Sequence, residues 1–207
     1  MPRPPAARSA VRPAAPVRGA PPARVRIVGG TWKRTPLPVL DLPGLRPTPD
    51  RVRETLFNWL GRDLDGWTAL DLYAGTGALG LEAASRGAAR VVLVERERRA
   101  VESLRATCAK LKAAQVEVVQ ADAAAWLAGR RERFDLVLLD PPFGGRELAR
   151  VLPALGPVLA PGAAVYVETD APLDPASLPL AACPGLVLHR ADKAGQVHYH
   201  LLLSDPG

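Results

Sequence analysis

The decapeptide Asp71-Leu72-Tyr73-Ala74-Gly75-Thr76-Gly77-Ala78-Leu79-Gly80 joins an apolar segment typical of a buried strand to a segment typical of a helix. Its three glycines satisfy the pattern G-x-G-x-x-G of nucleotide-binding strand-to-helix turns. Such glycines let the backbone approach a ligand closely, and the first N–H groups of the following helix can hold an anionic group. The stretch therefore predicts an α/β fold that binds a nucleotide-like ligand after its first parallel strand.

Strand and helix patterns alternate on the carboxyl side of this turn. The continuous apolar runs Val91–Val94 and Leu136–Leu139 are typical of strands that are covered on both faces. We predict strands over residues 69–73, 90–95, 116–120, 134–140 and 163–168, with helices between them and a closing hairpin of residues 186–190 and 197–203. The pattern indicates a doubly wound, mostly parallel seven-stranded sheet with a C-terminal antiparallel hairpin.

The chain before the glycine loop divides into a basic arm and a small folded extension. Residues 1–24 are rich in proline and arginine, and residues 1–26 hold six arginines and no acid, whereas the whole chain has a net charge of +6. We predict a disordered arm that attracts a polyanion, although GC-rich codon usage would produce the same tail. Residues 25–60 predict a small N-terminal β-hairpin extension followed by a helix, and residues 65–207 the main domain.

Two local signals define this extension. Period-two alternation up to Val28, then Gly29-Gly30 and the run Thr31–Arg34, indicates a basic hairpin. Thr48 is predicted to cap the helix, with Pro49 at its first position. The predicted apolar face of the helix consists of Val52, Leu56, Trp59 and Leu60.

Composition restricts the other possibilities. The 207 residues are 48% apolar without an uncharged apolar run long enough to cross a bilayer, so we expect a cytoplasmic protein that is not bound to a membrane. Cys108 and Cys183 have no C-x-x-C spacing, and His198 and His200 lack a third ligand, so we expect no disulfide and no metal. We also expect a monomer.

Asp71 decides between two nucleotide ligands. Its charge would repel a pyrophosphate but can accept hydrogen bonds from the ammonium group of a methionine moiety, which favours S-adenosylmethionine over NAD. Glu95 ends the next strand, where an acid can accept both ribose hydroxyls, a feature that NAD enzymes share. Asp122 could accept from the adenine amino group beside the Ala123 N–H, or cap the next helix. The predicted cofactor-binding residues are Thr48, Asp71, Tyr73, Gly75, Thr76, Gly77, Glu95, Asp122 and Ala123.

The tetrapeptide Asp140-Pro141-Pro142-Phe143 ends the fourth strand, across the switch point of the sheet from the glycine loop. An exocyclic amine of a base is a poor nucleophile because its lone pair is delocalised into the ring. The Asp140 carboxylate and the Pro141 carbonyl can accept its two N–H groups and aim the lone pair at a sulfonium methyl group. Pro142 restricts the backbone, and Phe143 can stack on a flipped base. We therefore assign the catalytic role to these four residues.

With these motifs, the sequence resembles the bacterial 16S ribosomal RNA guanine-N2 methyltransferases of the RsmD type from about Arg26 to about Leu203. The resemblance rests on the glycine loop, on Asp140–Phe143 and on four further segments, at residues 26–30, 44–48, 50–60 and 194–197. It implies a Rossmann-like class I methyltransferase that uses S-adenosylmethionine and releases S-adenosylhomocysteine. The basic arm is longer and richer in proline than the family pattern needs.

The resemblance also implies that the N-terminal hairpin binds RNA and that the substrate is 16S ribosomal RNA in an assembled small ribosomal subunit. It places Thr48 against the methionine end of the cofactor. Capping by Thr48 and a solvated helix face for the arginines fit equally well. The predicted RNA-binding residues are Arg26, Trp32, Lys33, Arg34, Arg46, Arg51 and Arg53.

Three alternatives stay open on sequence alone. A DNA or RNA adenine-N6 methyltransferase would use the same two acceptors, although 207 residues leave no room for a separate target-recognition domain. A nicotinamide-dependent oxidoreductase fits the glycine pattern but lacks a catalytic Tyr-Lys pair or His near the fourth strand. A ribosome-assembly factor could retain the fold without catalysis. Gln196 and Lys193 are explained by turn chemistry around Gly195 and are left out of the site.

Overall fold

The computed structural model describes residues 25–42, 48–142, 146–173, 183 and 185–206. The predicted disordered arm at residues 1–24 lies outside the described residues, as do Arg46 and Phe143. Within them the elements are β1 Val25–Arg26, β2 Pro36–Leu37, α1 Asp50–Trp59, β3 Thr68–Asp71, α2 Gly80–Ser85, β4 Arg90–Glu95, α3 Arg98–Leu111, β5 Val116–Gln120, α4 Ala123–Leu127, β6 Phe134–Leu139, α5 Arg146–Val151, β7 Leu159–Thr169, β8 Val187–Ala194 and β9 Val197–Leu203.

The main sheet has seven strands in the order β5-β4-β3-β6-β7-β9-β8. Strands β3 to β7 pair in parallel, whereas β9 is antiparallel to both β7 and β8. The order reverses at β3, from which the chain first proceeds to β4 and β5 and then returns to β6. The predicted doubly wound, mostly parallel sheet with a C-terminal hairpin is confirmed.

Both faces of this sheet are covered, which explains the unbroken apolar runs. Val91 and Leu93 belong to one hydrophobic cluster, together with Leu56 of α1. Val92 and Val94 point to the opposite face and pack with Trp126 and other residues of a second cluster. Because successive side chains of a strand alternate between faces, a strand between two helical layers needs apolar residues at every position.

Several predicted boundaries differ from the structure. β3 ends at Asp71 and not at residue 73, and β8 continues to Ala194 and not only to residue 190. β7 begins at Leu159 and not at Ala163, because Phe134 pairs with Leu159 while Leu136 pairs with Ala164. A bulge absorbs the extra residues, and Gly162 with φ of 71° lies within it. The predicted N-terminal hairpin is present, with β1 paired to β2 and the basic run Thr31–Arg34 in the turn between them.

The start and the buried face of α1 also differ from the prediction. Pro49 precedes the helix, and its carbonyl accepts the N–H groups of Val52 and Arg53. Thr48 does not cap the helix, since its side chain points to other acceptors. Arg53 joins Val52 and Leu56 on the buried face.

Arg53 is therefore a correction to the predicted RNA-binding set. Its side chain is 0% exposed, and its Nη1 and Nη2 lie 3.3 Å from Glu82 Oε2 and 2.6 Å from Asp50 Oδ1. Its Nε also donates to the Thr48 carbonyl. A guanidinium enclosed in this way stabilises the fold and cannot reach a phosphate.

Candidate active site

A cavity of about 530 Å³ opens at the carboxyl ends of the parallel strands, where ligands of doubly wound folds bind. Every parallel strand contributes to its wall. The lining includes the segments after β3, β4, β5 and β6, the end of β7, the turn between β8 and β9, and the chain before α1. The residues are Leu42, Thr48, Pro49, Asp71–Thr76, Ala78, Leu79, Glu95–Glu97, Ala100, Ala121–Ala123, Asp140–Pro142, Glu147, Glu168 and Ala194–Val197.

The Asp71 carboxylate faces the cavity and accepts hydrogen bonds from two backbone N–H groups of the glycine loop. Its Oδ2 accepts the Gly80 N–H at 3.0 Å, and its Oδ1 accepts the Tyr73 N–H at 3.4 Å. Burial, together with the negative charges of Glu95 and Glu168, raises the pKa of Asp71 to about 7 against the opposing effect of these two hydrogen bonds. A cationic group in the cavity would find a buried acceptor here.

The glycines of the loop have different roles. Gly75 has φ of 52° and lies in the cavity wall. Gly77 has φ of 79° and is absent from the lining, and a Cβ atom there would lie 2.7 Å from Leu104 Cδ2. Packing of the loop against α3 therefore explains Gly77, whose predicted contact with the cofactor has no support in this geometry.

The side chain of Glu95 is fixed by the backbone around it. Its Oε2 accepts the Gly75 N–H at 2.9 Å, and its Oε1 accepts the Glu97 N–H at 2.7 Å. Each carboxylate oxygen has a second lone pair, so Glu95 can still accept hydroxyl groups from a ligand in the cavity.

Asp122 caps α4, as one of its two interpretations predicts. Its Oδ1 accepts the Ala125 N–H at 3.0 Å and lies 3.2 Å from Arg150 Nη2. The Ala125 N–H and the Arg150 charge hold the pKa of Asp122 below its usual value. Asp122 and Ala123 both line the cavity, so contact with an adenine ring stays a prediction.

Tyr73 and Thr76 also line the cavity. The Tyr73 hydroxyl is buried and has no hydrogen-bond partner among the described residues. Burial, together with the charges of Glu147 and Asp122, raises its pKa. A buried hydroxyl without a partner is costly, so a polar ligand group in this part of the cavity would satisfy it.

Asp140 follows β6 and faces two groups from distant parts of the chain. Its Oδ2 lies 3.2 Å from Thr48 Oγ1, which lies 2.9 Å from Glu168 Oε1. Burial and the charges of Glu168 and Asp71 raise the pKa of Asp140 well above its usual value. Pro141 and Pro142 continue the cavity wall.

Sequence reasoning missed several lining residues, of which Glu168 is the most important. It ends a buried apolar strand on the edge of the sheet that carries Asp71 and Asp140, and this pattern could have identified it. Gln196 lies in the cavity wall, although the sequence analysis explained this residue by the turn around Gly195 and left it out of the site. Leu42, Arg96, Glu97 and Glu147 carried no recognisable signal.

The predicted RNA-binding residues differ in their exposure to solvent. Lys33, Arg34 and Arg51 are exposed. Arg26 is 60% exposed and donates to Asp50 at 2.9 Å. Trp32 is half-buried and packs against the first hydrophobic cluster.

The fold and the site together define a Rossmann-like methyltransferase. Three features define this class. The parallel sheet is extended by an antiparallel pair of strands, an acidic residue precedes the glycine loop, and an acidic residue followed by two prolines comes after β6. The chain belongs to the family described as conserved hypothetical protein 95, whose profile matches residues 25–203. This membership sets aside the nicotinamide oxidoreductase and the non-catalytic assembly factor.

Named relatives lead to the same family. The chain is 43% identical over 180 residues to ribosomal RNA small subunit methyltransferase D of Escherichia coli K12, covering 86% of this chain and 89% of the relative. It is 40% identical over 152 residues to the protein of that name from Haemophilus influenzae, covering 70% and 79%. A solved Escherichia coli structure, described as a candidate methyltransferase, matches with a TM-score of 0.77 and 41% identity, over 89% of this chain and all of that chain.

Two absences apply to the part of the chain that the structure describes. It contains no helix with the length and apolar character needed to cross a bilayer. It contains no group of three or more His, Cys, Asp or Glu side chains arranged to hold a metal ion.

Proposed function

We propose that the protein transfers a methyl group from S-adenosylmethionine to the exocyclic N2 amine of a guanine in 16S ribosomal RNA, within an assembled small subunit or its precursor. The observation that carries the proposal is the placement of Asp140 and Pro141 in the same cavity as the glycine loop and Asp71. The two acceptors needed by a planar amine thus lie beside a pocket suited to a cationic nucleoside. The relatives named ribosomal RNA methyltransferases support the choice of RNA.

The cavity fits this cofactor at several points. Its volume lies in the range of about 300–1,000 Å³ that is usual for ligand pockets. Asp71 can accept the ammonium group, Glu95 the ribose hydroxyls, and the unpartnered Tyr73 hydroxyl a further polar atom. When bound, the cofactor supplies a methyl group on a positively charged sulfur.

Asp140 and Pro141 act on the amine. A carboxylate and a backbone carbonyl that each accept one N–H hold the nitrogen in one orientation and favour the tetrahedral geometry of the transition state. Because the carbonyl belongs to a segment restricted by two prolines, its direction is fixed before the substrate binds.

RNA binding is assigned to the exposed basic residues of the N-terminal extension, Arg26, Lys33, Arg34 and Arg51. Each cation placed near a phosphate releases condensed counterions, which strengthens binding at low salt. The predicted disordered arm would add to this effect.

The test is methylation of small subunits isolated from a strain that lacks the protein. We expect Asp140→Ala to reduce N2-methylguanosine formation by at least about 10²-fold, because one acceptor of the amine is lost. The melting temperature with S-adenosylhomocysteine should still rise, and Asp63→Ala, which removes an exposed carboxylate, should keep full activity. Wild-type activity in Asp140→Ala, or N6-methyladenosine as the product, would refute the assignment.

A further inference from the structure

Four side chains form a continuous hydrogen-bonded row, and three of them, Thr48, Asp140 and Glu168, line the cavity. Thr48 Oγ1 lies 3.2 Å from Asp140 Oδ2 and 2.9 Å from Glu168 Oε1. The Tyr166 hydroxyl lies 2.9 Å from the same Glu168 oxygen. Thr48, Glu168 and Tyr166 are buried, and Asp140 faces the cavity. The row thus connects the proposed catalytic carboxyl group to a second carboxyl group that has no direct part in binding the amine.

If both carboxyl groups of this row are ionised, the row has one proton fewer than it has contacts. A threonine hydroxyl has one proton and can donate only one hydrogen bond. If Asp140 and Glu168 were both ionised, one of the two contacts of Thr48 would join two oxygens without a proton between them. A proton on one of the two carboxyl groups, donated to Thr48 Oγ1, would give both contacts of Thr48 a hydrogen bond.

The contacts favour Asp140 as the protonated group. Glu168 Oε1 already accepts the Tyr166 O–H, and accepting the Thr48 O–H as well suits an anion. Asp140 Oδ2–H then donates to Thr48 Oγ1, and every contact of the row has its proton.

The surrounding charges agree with this arrangement. Asp71 on β3 adds negative charge near Asp140. Tyr199 on β9 adjoins Tyr166, and the guanidinium of Arg53 on α1 donates to the Thr48 carbonyl and to neither carboxyl group of the row. Burial raises the pKa of both carboxyl groups, and the Tyr166 hydroxyl, which contacts Glu168 and not Asp140, opposes the rise at Glu168.

We propose that Thr48 relays a proton between Asp140 and Glu168, so that Glu168 holds the negative charge in the resting protein and Asp140 acquires it when the amine reacts. The inference rests on the proposed function for its purpose, although the proton arrangement itself does not depend on the substrate. Glu168 and Thr48 are positioning residues in this scheme, since they act through Asp140.

The proposed step conserves protons and electrons. The Asp140 proton moves to Thr48 while the Thr48 proton moves to Glu168, which leaves Asp140 ionised beside the guanine nitrogen. With the cofactor bound, the nitrogen lone pair would form the bond to the methyl carbon, and the sulfur would keep the electron pair of the broken carbon–sulfur bond. Asp140 then accepts the surplus proton of the nitrogen, and the row returns one proton to solvent through the cavity.

The kinetic test compares Thr48→Val with Thr48→Ser. We expect the valine variant to lower kcat by about 10²-fold, because the proton path is interrupted. The serine variant should restore most of the rate, and Thr107→Val, the same change on α3 away from the cavity, should leave it unchanged. The Kd for S-adenosylhomocysteine should change by less than about threefold.

Glu168→Gln gives a readout that a purely structural role would not move. Loss of the Glu168 charge lowers the pKa of Asp140, so the acid limb of the kcat profile should shift to lower pH while kcat falls. A full rate in Thr48→Val, or an unshifted pH profile in Glu168→Gln, would overturn the relay.

Infrared spectroscopy of the cofactor-free protein tests the proton arrangement without methyl transfer. Near neutral pH, where Asp71 also contributes a protonated carboxyl group, we expect a second carbonyl band that is lost in Asp140→Asn, shifted in frequency in Thr48→Val and kept in Asp71→Asn. If the band is present but no RNA is methylated, the proton arrangement stands and the proposed function fails. If the band is absent while RNA is methylated, the relay is wrong and the proposed function stands.

Discussion

At the scale of single residues, Asp71 combines two roles that oppose each other in energy. Its carboxylate holds the glycine loop through the Gly80 and Tyr73 N–H groups. Burial of this carboxylate makes its negative charge costly when no cation occupies the cavity. The pKa of Asp71 is therefore raised to about 7. The site therefore carries a strain that a positively charged ligand would relieve.

We expect the cofactor-free protein to lose stability as the pH rises from about 4 to about 7. Because the pKa of Asp71 is raised from 3.8 to about 7 on folding, the folded state binds more protons than the unfolded state in this window. The free energy of unfolding therefore falls with increasing pH, by roughly 2–4 kcal/mol from this group. Urea denaturation at a series of pH values measures the slope.

Asp71→Asn should reduce this slope, since asparagine does not titrate but can still accept the Gly80 N–H. Asp63→Asn is the matched control, because it removes an exposed carboxylate and should keep the wild-type slope. An unchanged slope in Asp71→Asn would show that Asp71 does not titrate in this range. The slope that remains in the variant reflects the other raised groups, Asp140 and Glu168.

Sequence reasoning was most successful for residues that follow strand ends. Asp71, Glu95, Asp122 and Asp140 all lie in the cavity wall as predicted, because the parallel topology alone brings them to one edge. Arg53 was misassigned because an arginine was expected on the exposed face of the helix. Its burial depends on the ion pair with Glu82 of α2, which forms only through tertiary packing. Thr48 was ambiguous for the same reason, since Glu168 lies 120 residues away in the chain.

At the scale of elements, α1 shows how one helix can carry arginines with different functions. Arg51 is exposed, whereas Arg53 lies on the opposite, buried face and links Asp50 to Glu82. Glu82 also accepts the Val28 N–H and pairs with Arg86, so it ties the N-terminal hairpin to α1 and α2. The helix is therefore fixed by a buried ionic network in addition to its apolar residues.

Substitution of the two arginines should separate stability from RNA binding. We expect Arg53→Ala to lower the free energy of unfolding by about 3–5 kcal/mol, because it leaves Glu82 with less compensation in a buried position. Arg51→Ala should change it by less than about 0.5 kcal/mol. Chemical denaturation measures both values, and equal effects of the two substitutions would contradict the assigned burial.

The same pair of variants gives the opposite order in RNA binding. Arg51→Ala should weaken binding to small subunits and reduce the dependence of log K on log salt by about one unit, as expected for one lost phosphate contact. Arg53→Ala, measured under conditions in which it stays folded, should leave that slope unchanged. An unaltered slope in Arg51→Ala would remove this residue from the RNA surface.

Element boundaries could be predicted where a strand runs without interruption between two turns. β4 and β5 have the predicted bounds. β7 does not, because its pairing with β6 begins at Leu159, before the predicted start at residue 163, and continues across Pro161-Gly162 through a bulge. A bulge depends on the partner strand and leaves little trace in the sequence of the bulged strand itself.

At the scale of the whole molecule, the N-terminal hairpin is attached to the methyltransferase fold through α2. Ser85 Oγ donates to the Gly29 carbonyl and accepts the Trp32 N–H, and the Ser85 carbonyl accepts the Thr31 N–H at 2.7 Å. The turn that carries Lys33 and Arg34 is thereby held in a fixed position relative to the sheet. The predicted division into residues 25–60 and 65–207 stays a prediction.

This attachment predicts that RNA methylation and cofactor binding can be separated at Gly30. Gly30 has φ of 68°, and a Cβ atom there would overlap the Ser85 carbonyl, so Gly30→Ala should displace the hairpin from α2. We expect methylation of small subunits to fall by at least about tenfold, since the displaced cations would no longer contact the phosphates near the cavity. Binding of S-adenosylhomocysteine, measured by calorimetry, should be retained because the cavity lies on other elements.

Gly61→Ala is the matched control for this prediction. Gly61 has φ of 96°, so alanine carries a comparable backbone cost there, but no described atom lies within 4 Å of the added Cβ. Gly61→Ala should therefore lose stability without losing RNA methylation. If the two variants lose methylation equally, backbone strain and not hairpin displacement is the cause, and the hairpin has no fixed role in presenting RNA to Asp140.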